Sequence, residues 1–235
     1  MVQLLGVKIN KVSLAVAWDK IKGFLVDGQQ HYVVTVNTDF LVRAQNDKVF
    51  REILNQADLS VADGSGVVLA AKLLSQSLEE RISGVDLMSS ILNQDSGIRE
   101  NVFLLGGRHG VAAKIAGRYE NVIGFTENLD EAVNLINRCQ PRILFVALGS
   151  PKQEQWIAQN LSKVPSVKLA MGVGGAFNFL AGRVRRAPKF LRSLGLEWLW
   201  RTLREPWRWR QVWRSLVFFP IIVIKQKLLM YNSYE

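Results

Sequence analysis

"SVADGSGVVLAAKLL", residues 60–74, passes from a short apolar run through Asp63, Gly64, Ser65 and Gly66 into a stretch with helical spacing. A strand that stops at a carboxylate, followed by a glycine turn that opens a helix, makes one strand–turn–helix unit, and the glycines let the backbone come close to whatever occupies that corner. Outward from this unit, apolar and β-branched runs recur as "HYVVTVN" (31–37), "DLSVADG" (58–64), "NVFLLGG" (101–107), "RILFVALGS" (142–150) and "VKLAMGVGG" (167–175). These read as buried strands. Between them, "DFLVRAQNDKVFREILNQA", "GVDLMSSILNQ", "HGVAAKIAGRYE", "DEAVNLINRCQ" and "PKQEQWIAQNL" place apolar residues three and four apart, as helices do. The alternation predicts an α/β fold, Rossmann-like, with a mostly parallel sheet and helices on both faces. Nearly every strand ends in small or polar residues, and in such sheets ligands bind outside the carboxyl ends of the strands.

The net charge of +10 is not spread evenly. Residues 183–235 hold 12 Lys and Arg against 3 Glu, a net of +9, and five of the seven tryptophans; residues 1–182 carry 18 basic and 17 acidic side chains. The sequence therefore divides into a nearly neutral α/β domain, 1–182, and a basic, Trp-rich C-terminal helical appendage, 183–235. The appendage calls for a partner that is anionic, apolar or both. A single cysteine, Cys139, excludes an internal disulfide framework and fits a reducing cytosol. The first 20 residues lack the basic flank and apolar run of a signal peptide, so a cytoplasmic location is expected.

Several chemistries are excluded at the level of motif. No glycine cluster completes G-x-G-x-x-G, and no G-x-x-x-x-G-K-[ST] or G-x-S-x-G occurs. His31 and His109 are not at metal-ligand spacing, and no D-x-D pair is present to hold a divalent ion on a diphosphate, so no metal and no resident cofactor are expected.

"VNTDFLVRAQND", "ADGSGVVLAAKLL", "RISGVDLM", "LLGG", "FVALGSPKQEQWI", "MGVGGAFNFLAGRVRRAP" and "LGLEWLWRTLREPWRW" follow one another in that order. Together they resemble the WecG/TagA/CpsF glycosyltransferase family (glycosyltransferase family 26), through nearly the whole chain. The resemblance implies metal-independent transfer, with inversion at the anomeric carbon, of a sugar from a UDP-sugar to a polyprenyl-diphosphate-linked GlcNAc. That reaction belongs to the synthesis of cell-surface polysaccharide or teichoic acid. In the family N-acetylmannosamine or its uronic acid is a typical donor sugar, and other members use other UDP-hexoses.

The resemblance also assigns roles, each with a plainer reading beside it. Asp63 becomes the catalytic base; otherwise it is a helix N-cap, for which Asp is among the best residues. Thr35 and Asn37 match positions that contact the sugar, and alternatively make local turns. Gly64 and Ser65, which follow Asp63 in the same block, are read as substrate-binding. Gln153 matches a Gln near the reaction centre, and without that role is an exposed residue in the first turn of a helix. Arg81 either binds substrate or forms an ion pair with Asp86. Gly106, Gly107, Gly149 and Gly174 admit backbone N–H groups to the uridine diphosphate, or simply turn the chain. Asn178 stands where many family members have Asp, which alters the hydrogen bonding offered to the donor.

In the appendage, Arg201 and Arg208 match arginines that the family places on the acceptor diphosphate. Arg204, Arg210 and Arg214 belong to the same set, Arg210 or Arg214 standing in for an Arg that relatives carry at Gln211. Arginine interleaved with Trp198, Trp200, Trp207, Trp209 and Trp213 suits phosphate and the membrane interface. The apolar run Leu216–Ile224 is too short to span a bilayer and contains Pro220, so peripheral attachment to the anionic inner face of the membrane is expected. Packing of this aromatic face on the body or on a second copy of the chain is the alternative, and it permits a homo-oligomer. Two other classes compete: a nucleic-acid-binding protein, through the Arg/Trp pattern, and a nicotinamide-dependent oxidoreductase, which lacks its glycine fingerprint. The transferase reading expects no nucleic acid as partner.

Overall fold

The computed structural model describes residues 1–188, 190–191, 197–205 and 209–232, without the side chains of 201, 210 and 230–232. The chain opens with a hairpin of β1 (Val2–Leu4) and β2 (Val7–Ile9), paired antiparallel, and continues through α1 (Leu14–Val26) into the main sheet. Six parallel strands follow: β3 (His31–Val36), β4 (Leu59–Ala62), β5 (Val102–Gly106), β6 (Val122–Thr126), β7 (Ile143–Ala147) and β8 (Leu169–Gly172), in the order β4-β3-β8-β7-β5-β6. The Rossmann-like α/β sheet read from the sequence is therefore the fold.

The strands are apolar throughout because both faces are covered. On β7, Leu144 and Val146 join one core cluster while Ile143 and Phe145 join the other, as the two-residue period of a strand requires. The first cluster lies under α2 (Thr38–Asn46), α3 (Lys48–Asn55), α4 (Ser65–Leu73), α7 (Leu129–Cys139) and α8 (Lys152–Asn160). The second lies under α1, α5 (Gly84–Leu92), α6 (Val111–Ala116) and α9 (Ala176–Leu180).

Three features depart from the sequence reading. The stretch 39–57 forms two helices, because Asp47 leaves helical geometry (φ −120°, ψ 95°) to end α2 and its carboxylate accepts from the Phe50 N–H at 2.8 Å to start α3. Strand β6 escaped detection: it is an edge strand with Ile123 and Phe125 exposed and Gly124 between them, so it lacks a buried run. The β1–β2 hairpin has strands of only three residues, below the length at which alternation is legible.

The C-terminal residues return over the first face. Helices Glu197–Arg204 and Trp209–Trp213 lead through a π-helical turn, Arg214–Phe218, into helix Phe219–Asn232. Phe219 and Val223, both nearly inaccessible, belong to the same apolar cluster as Phe40 and Leu41 of α2 and Val67 and Ala70 of α4. Gly66 sits beneath this contact, a Cβ there falling 2.8 Å from the Thr38 methyl and 4.0 Å from the Phe219 ring. Among the described residues no helix is long and apolar enough to cross a membrane.

Phe219→Ala should cost about 3 kcal/mol or more, the usual scale for emptying a buried aromatic site. Denaturant unfolding is expected to show that loss, and limited trypsin digestion to cut faster at the arginines of 201–214. A variant as stable and as protected as wild type would mean that the helix does not depend on this anchor.

Candidate active site

A cleft of about 370 Å³ opens where β3, β4, β7 and β8 end. Seven of the residues singled out in the sequence line it: Thr35, Asn37, Asp63, Gly149, Gln153, Gly174 and Asn178. Each arrives at the end of a strand or in the first turn of the helix that follows. Asn37 closes β3 and caps α2, its Oδ1 accepting from the Phe40 N–H at 3.1 Å. Thr35 is buried one position inside the sheet, with α5 pressed against it so closely that a Cβ on Gly84 would stand 3.1 Å from its methyl.

Asp63 does not do what the simplest reading of "ADGSG" expects. The N-cap of α4 is Gly64, at φ +126°, with no side-chain capping bond. Asp63 instead extends the ladder, its N–H donating to the Val36 carbonyl at 2.7 Å, and its Oδ2 accepts at 3.4 Å from the Gly84 N–H, the first residue of α5. A carboxylate at that end of a nine-residue helix has the favourable end of the helix dipole behind its negative charge.

Gln153 also departs from expectation. It is buried, 3% exposed, although it stands in the first turn of α8. Its Oε1 accepts from the Gly174 N–H at 3.1 Å, which ties the helix after β7 to the turn after β8.

The glycines separate into two kinds. At Gly149 (φ +76°) a Cβ would meet nothing within 4 Å, so its requirement is conformational and its surroundings are open. At Gly106 a Cβ would lie 2.8 Å from Leu148 Cδ2 and 2.9 Å from the Ala147 carbonyl oxygen, and at Gly107 2.5 Å from Val111 Cγ2. Those two glycines are demanded both by positive φ (+90° and +80°) and by packing between β5, β7 and α6, and they do not line the cleft. Gly64, Ser65 and Arg81 are likewise absent from its lining. Arg81 lies 3.8 Å from Glu197 of the C-terminal helices, and Asp86 receives both guanidinium nitrogens of Arg186, so each side chain of the suggested Arg81–Asp86 pair has a partner from beyond residue 182.

Of the appendage arginines, Arg208 lies outside the described residues and Arg201 and Arg210 have described backbone only. Arg204 stacks its guanidinium 4.9 Å from the centre of the Trp200 ring, and Arg214 bonds through Nε to Asp39. The sequence reading missed Asp39 and Arg43, which line the cleft from α2 and are bonded at 2.8 Å, although their i, i+4 spacing was visible. It also missed Glu205, buried at the cleft wall beside Gln211. No local pattern marks Glu205, because it reaches the cleft only through the return of the chain over α2.

Comparison with known proteins gives this geometry its setting. Residues 2–233 match the glycosyl transferase WecG/TagA/CpsF family. The chain belongs to that family. Curated relatives from Staphylococcus aureus strains MRSA252, MW2 and COL, each an N-acetylglucosaminyldiphosphoundecaprenol N-acetyl-beta-D-mannosaminyltransferase, are 35% identical over alignments that cover 95% of this chain and 91% of theirs.

Beneath the cleft of this family member lies a buried acid. Glu154 is fully inaccessible, and burial pushes its carboxyl up to about 7, opposed by its bond from Gln153 and by the nearby charge of Arg43. Tyr32, buried close by on β3, is held well above the usual phenol range by burial and then by the charge on Glu154. The unfolded carboxyl ionises near 4.5, so between that value and about 7 the folded state holds a proton that unfolding releases. Stability contributed by this group therefore falls as pH rises through the window, by on the order of 3 kcal/mol in total. Glu154→Gln, which cannot titrate, should gain in Tm over wild type between pH 5 and pH 8. A Tm difference that stays flat across that range would show that the carboxyl is not raised.

Proposed function

We propose that this protein transfers a sugar, N-acetylmannosamine or a related hexose derivative, from a UDP-sugar to a polyprenyl-diphosphate-linked GlcNAc at the cytoplasmic face of the membrane. The product enters cell-surface polysaccharide or teichoic-acid-type synthesis. The observation that carries the reading is the position of Asp63: at a strand tip in the cleft, relieved of capping α4 by Gly64, and set against the N-terminus of α5. Such a carboxylate is suited to the ionised form that a general base requires. The kinship with the staphylococcal enzymes, whose name gives both the acceptor and the transferred sugar, supports the substrate class.

In the proposed step an acceptor hydroxyl oxygen attacks C1 of the donor sugar from the face opposite UDP. The new O–C1 bond forms as the bond from C1 to the diphosphate oxygen breaks with its electron pair, and Asp63 takes the hydroxyl proton. One displacement inverts the anomeric centre. Thr35 and Asn37 stand where sugar hydroxyls or an acetamido group would be read, and Gly149 and Gly174 open the backbone to the donor diphosphate. The diphosphate charges are met by backbone N–H groups and by C-terminal arginines, without a metal ion.

Attachment to the membrane rests on the outer surface of the C-terminal helices. Leu203, Trp209, Trp213, Ile221, Leu228 and Leu229 are each between 55% and 73% exposed, and Lys225 and Lys227 lie among them in sequence. Indoles and aliphatic side chains beside cations match an anionic headgroup layer.

Asp63→Asn is expected to lower kcat for UDP release about 10²- to 10⁴-fold, with little change in KM, in an assay containing EDTA, a short-chain prenyl-diphosphate GlcNAc acceptor and a panel of UDP-sugars. Full activity in the variant would remove Asp63 from the chemistry, and activity lost on adding EDTA to wild type would remove the metal-free scheme. In flotation, wild type should rise with vesicles containing phosphatidylglycerol and not with neutral ones, and Trp209→Ser/Trp213→Ser should rise less. Equal recovery of the two proteins would instead assign this face to another occupant, such as a second copy of the chain, which sedimentation would detect.

A further inference from the structure

Glu154 has no part in the reaction as set out above, and its burial is expensive. A carboxyl group with no exposed surface, whose Oε2 has no hydrogen-bond partner among the described residues, costs stability wherever it sits. An apolar side chain of similar size would be the stable choice at this position. What the acid makes is one short bond, Gln153 Nε2 donating to Glu154 Oε1 at 2.7 Å, with a smaller contribution from the nearby Ser150 hydroxyl.

That bond is unusual in its spacing. Consecutive residues on a helix do not face each other, so a contact between 153 and 154 requires both side chains to turn toward one wall. The wall is β8, and the sequence leaves room there: a Cβ on Gly172 would stand 2.7 Å from Gln153 Nε2 and 2.8 Å from Glu154 Oε1. Gly172 lies in a strand without positive φ, so space and not backbone freedom is what the glycine provides.

The bond settles an ambiguity that every glutamine carries. The two ends of a carboxamide are nearly identical in shape but opposite in hydrogen bonding. At one end the Gly174 N–H calls for an oxygen, and at the other Glu154 Oε1 calls for a nitrogen. Oε1 accepts whether the carboxyl is ionised or carries its proton on Oε2, so the orientation holds in either state. With its oxygen occupied by Gly174 and one N–H by Glu154, the amide has one N–H left, and Gln153 lines the cleft.

We infer that Glu154 is the positioning residue of this site: it locks the Gln153 amide so that Gln153 meets the substrates as a hydrogen-bond donor, to an oxygen of the sugar or diphosphate. The inference rests on the proposed transferase reaction and on Gln153 acting in it. Without Glu154 the amide keeps a single constraint and samples poses in which no donor faces the substrate.

The test is a double-mutant cycle read in kcat and KM. Glu154→Leu should lower kcat about tenfold, the scale of one supporting hydrogen bond, with KM within threefold of wild type and Tm no lower. Gln153→Ala should lower kcat at least as far, and the double variant no further than Gln153→Ala alone. Glu154→Gln, whose carboxamide oxygen can still accept from Gln153, should restore kcat to within about threefold of wild type. Gly172→Ala, which intrudes on the bond without touching either partner's chemistry, should reproduce the Glu154→Leu loss in kcat. Losses that multiply in the double variant, or a Tm that falls in step with kcat, would overturn the inference and leave Glu154 a packing residue. A fully active Gln153→Ala would overturn it from the other side, and the Asp63→Asn result would then show separately whether the transferase reading survives.

Discussion

Asp39 carries the constraint on which the rest of the arrangement depends. Its side chain is almost wholly withdrawn from solvent, yet it accepts from two guanidinium groups: Arg43, one turn further along α2, and Arg214, 175 residues later in the chain. A buried acid is tolerated only where its charge is met, and taking away one partner leaves the desolvation cost unopposed. Arg214 can meet it only when the C-terminal helices lie on α2, which is also the position in which Phe219 and Val223 are buried. The apolar anchor and the ion pair therefore fix the same pose by different means. That pose carries Glu205 and Gln211 to the cleft wall, so the cleft is completed by residues from both ends of the sequence.

The sheet was legible because its physics is local. Five of the six parallel strands are buried on both faces, and a short β-branched and aromatic run such as "ILFVA" suits a strand buried in that way. What escaped were the elements whose stability comes from context: β6, which borrows its place from pairing with β5, and the short hairpin, which is held by packing on α3 and by Asn55 accepting from the Lys8 N–H. The break at Asp47 was present in the letters "AQNDKVF", as an Asp three residues before Phe50, but continuous apolar spacing across it masked the cap.

The site was legible to the extent that it is built from strand tips. Thr35, Asn37, Asp63, Gly149 and Gly174 follow directly from strand ends that topology makes neighbours, since β4, β3, β8 and β7 are adjacent in the sheet. Gly106 and Gly107 obey the same local rule but do not line the cleft, because β5 stands one strand further out and its glycines turn at positive φ against Leu148 and Val111. A glycine letter records that a side chain is forbidden, but not whether a ligand, a neighbour or the backbone forbids it. Gln153 illustrates the converse. Amphipathic spacing puts the first turn of a helix in water, whereas here the turn faces β8 and the residue is buried for a polar purpose.

The charges in the cleft bear on how such a site would receive its substrates. Among the described residues that line it, Asp39, Asp63 and Glu205 are acidic and Arg43 alone is basic, with Asp39 already matched by two guanidinium groups. Both substrates of the proposed reaction carry diphosphates, so in that reading cationic groups beyond Arg43 are needed to meet them. In that reading the Lys and Arg of residues 183–235, which give that segment a net charge of +9, are the source of such groups in the sequence. Docking is favoured by burial of Phe219 and Val223 and by the charge on Asp39, neither of which involves substrate. The polypeptide can thus hold its C-terminal helices on α2 before any phosphate arrives. In the proposed reaction Asp63 serves as the base, while the substrate charge falls to groups from a different part of the chain.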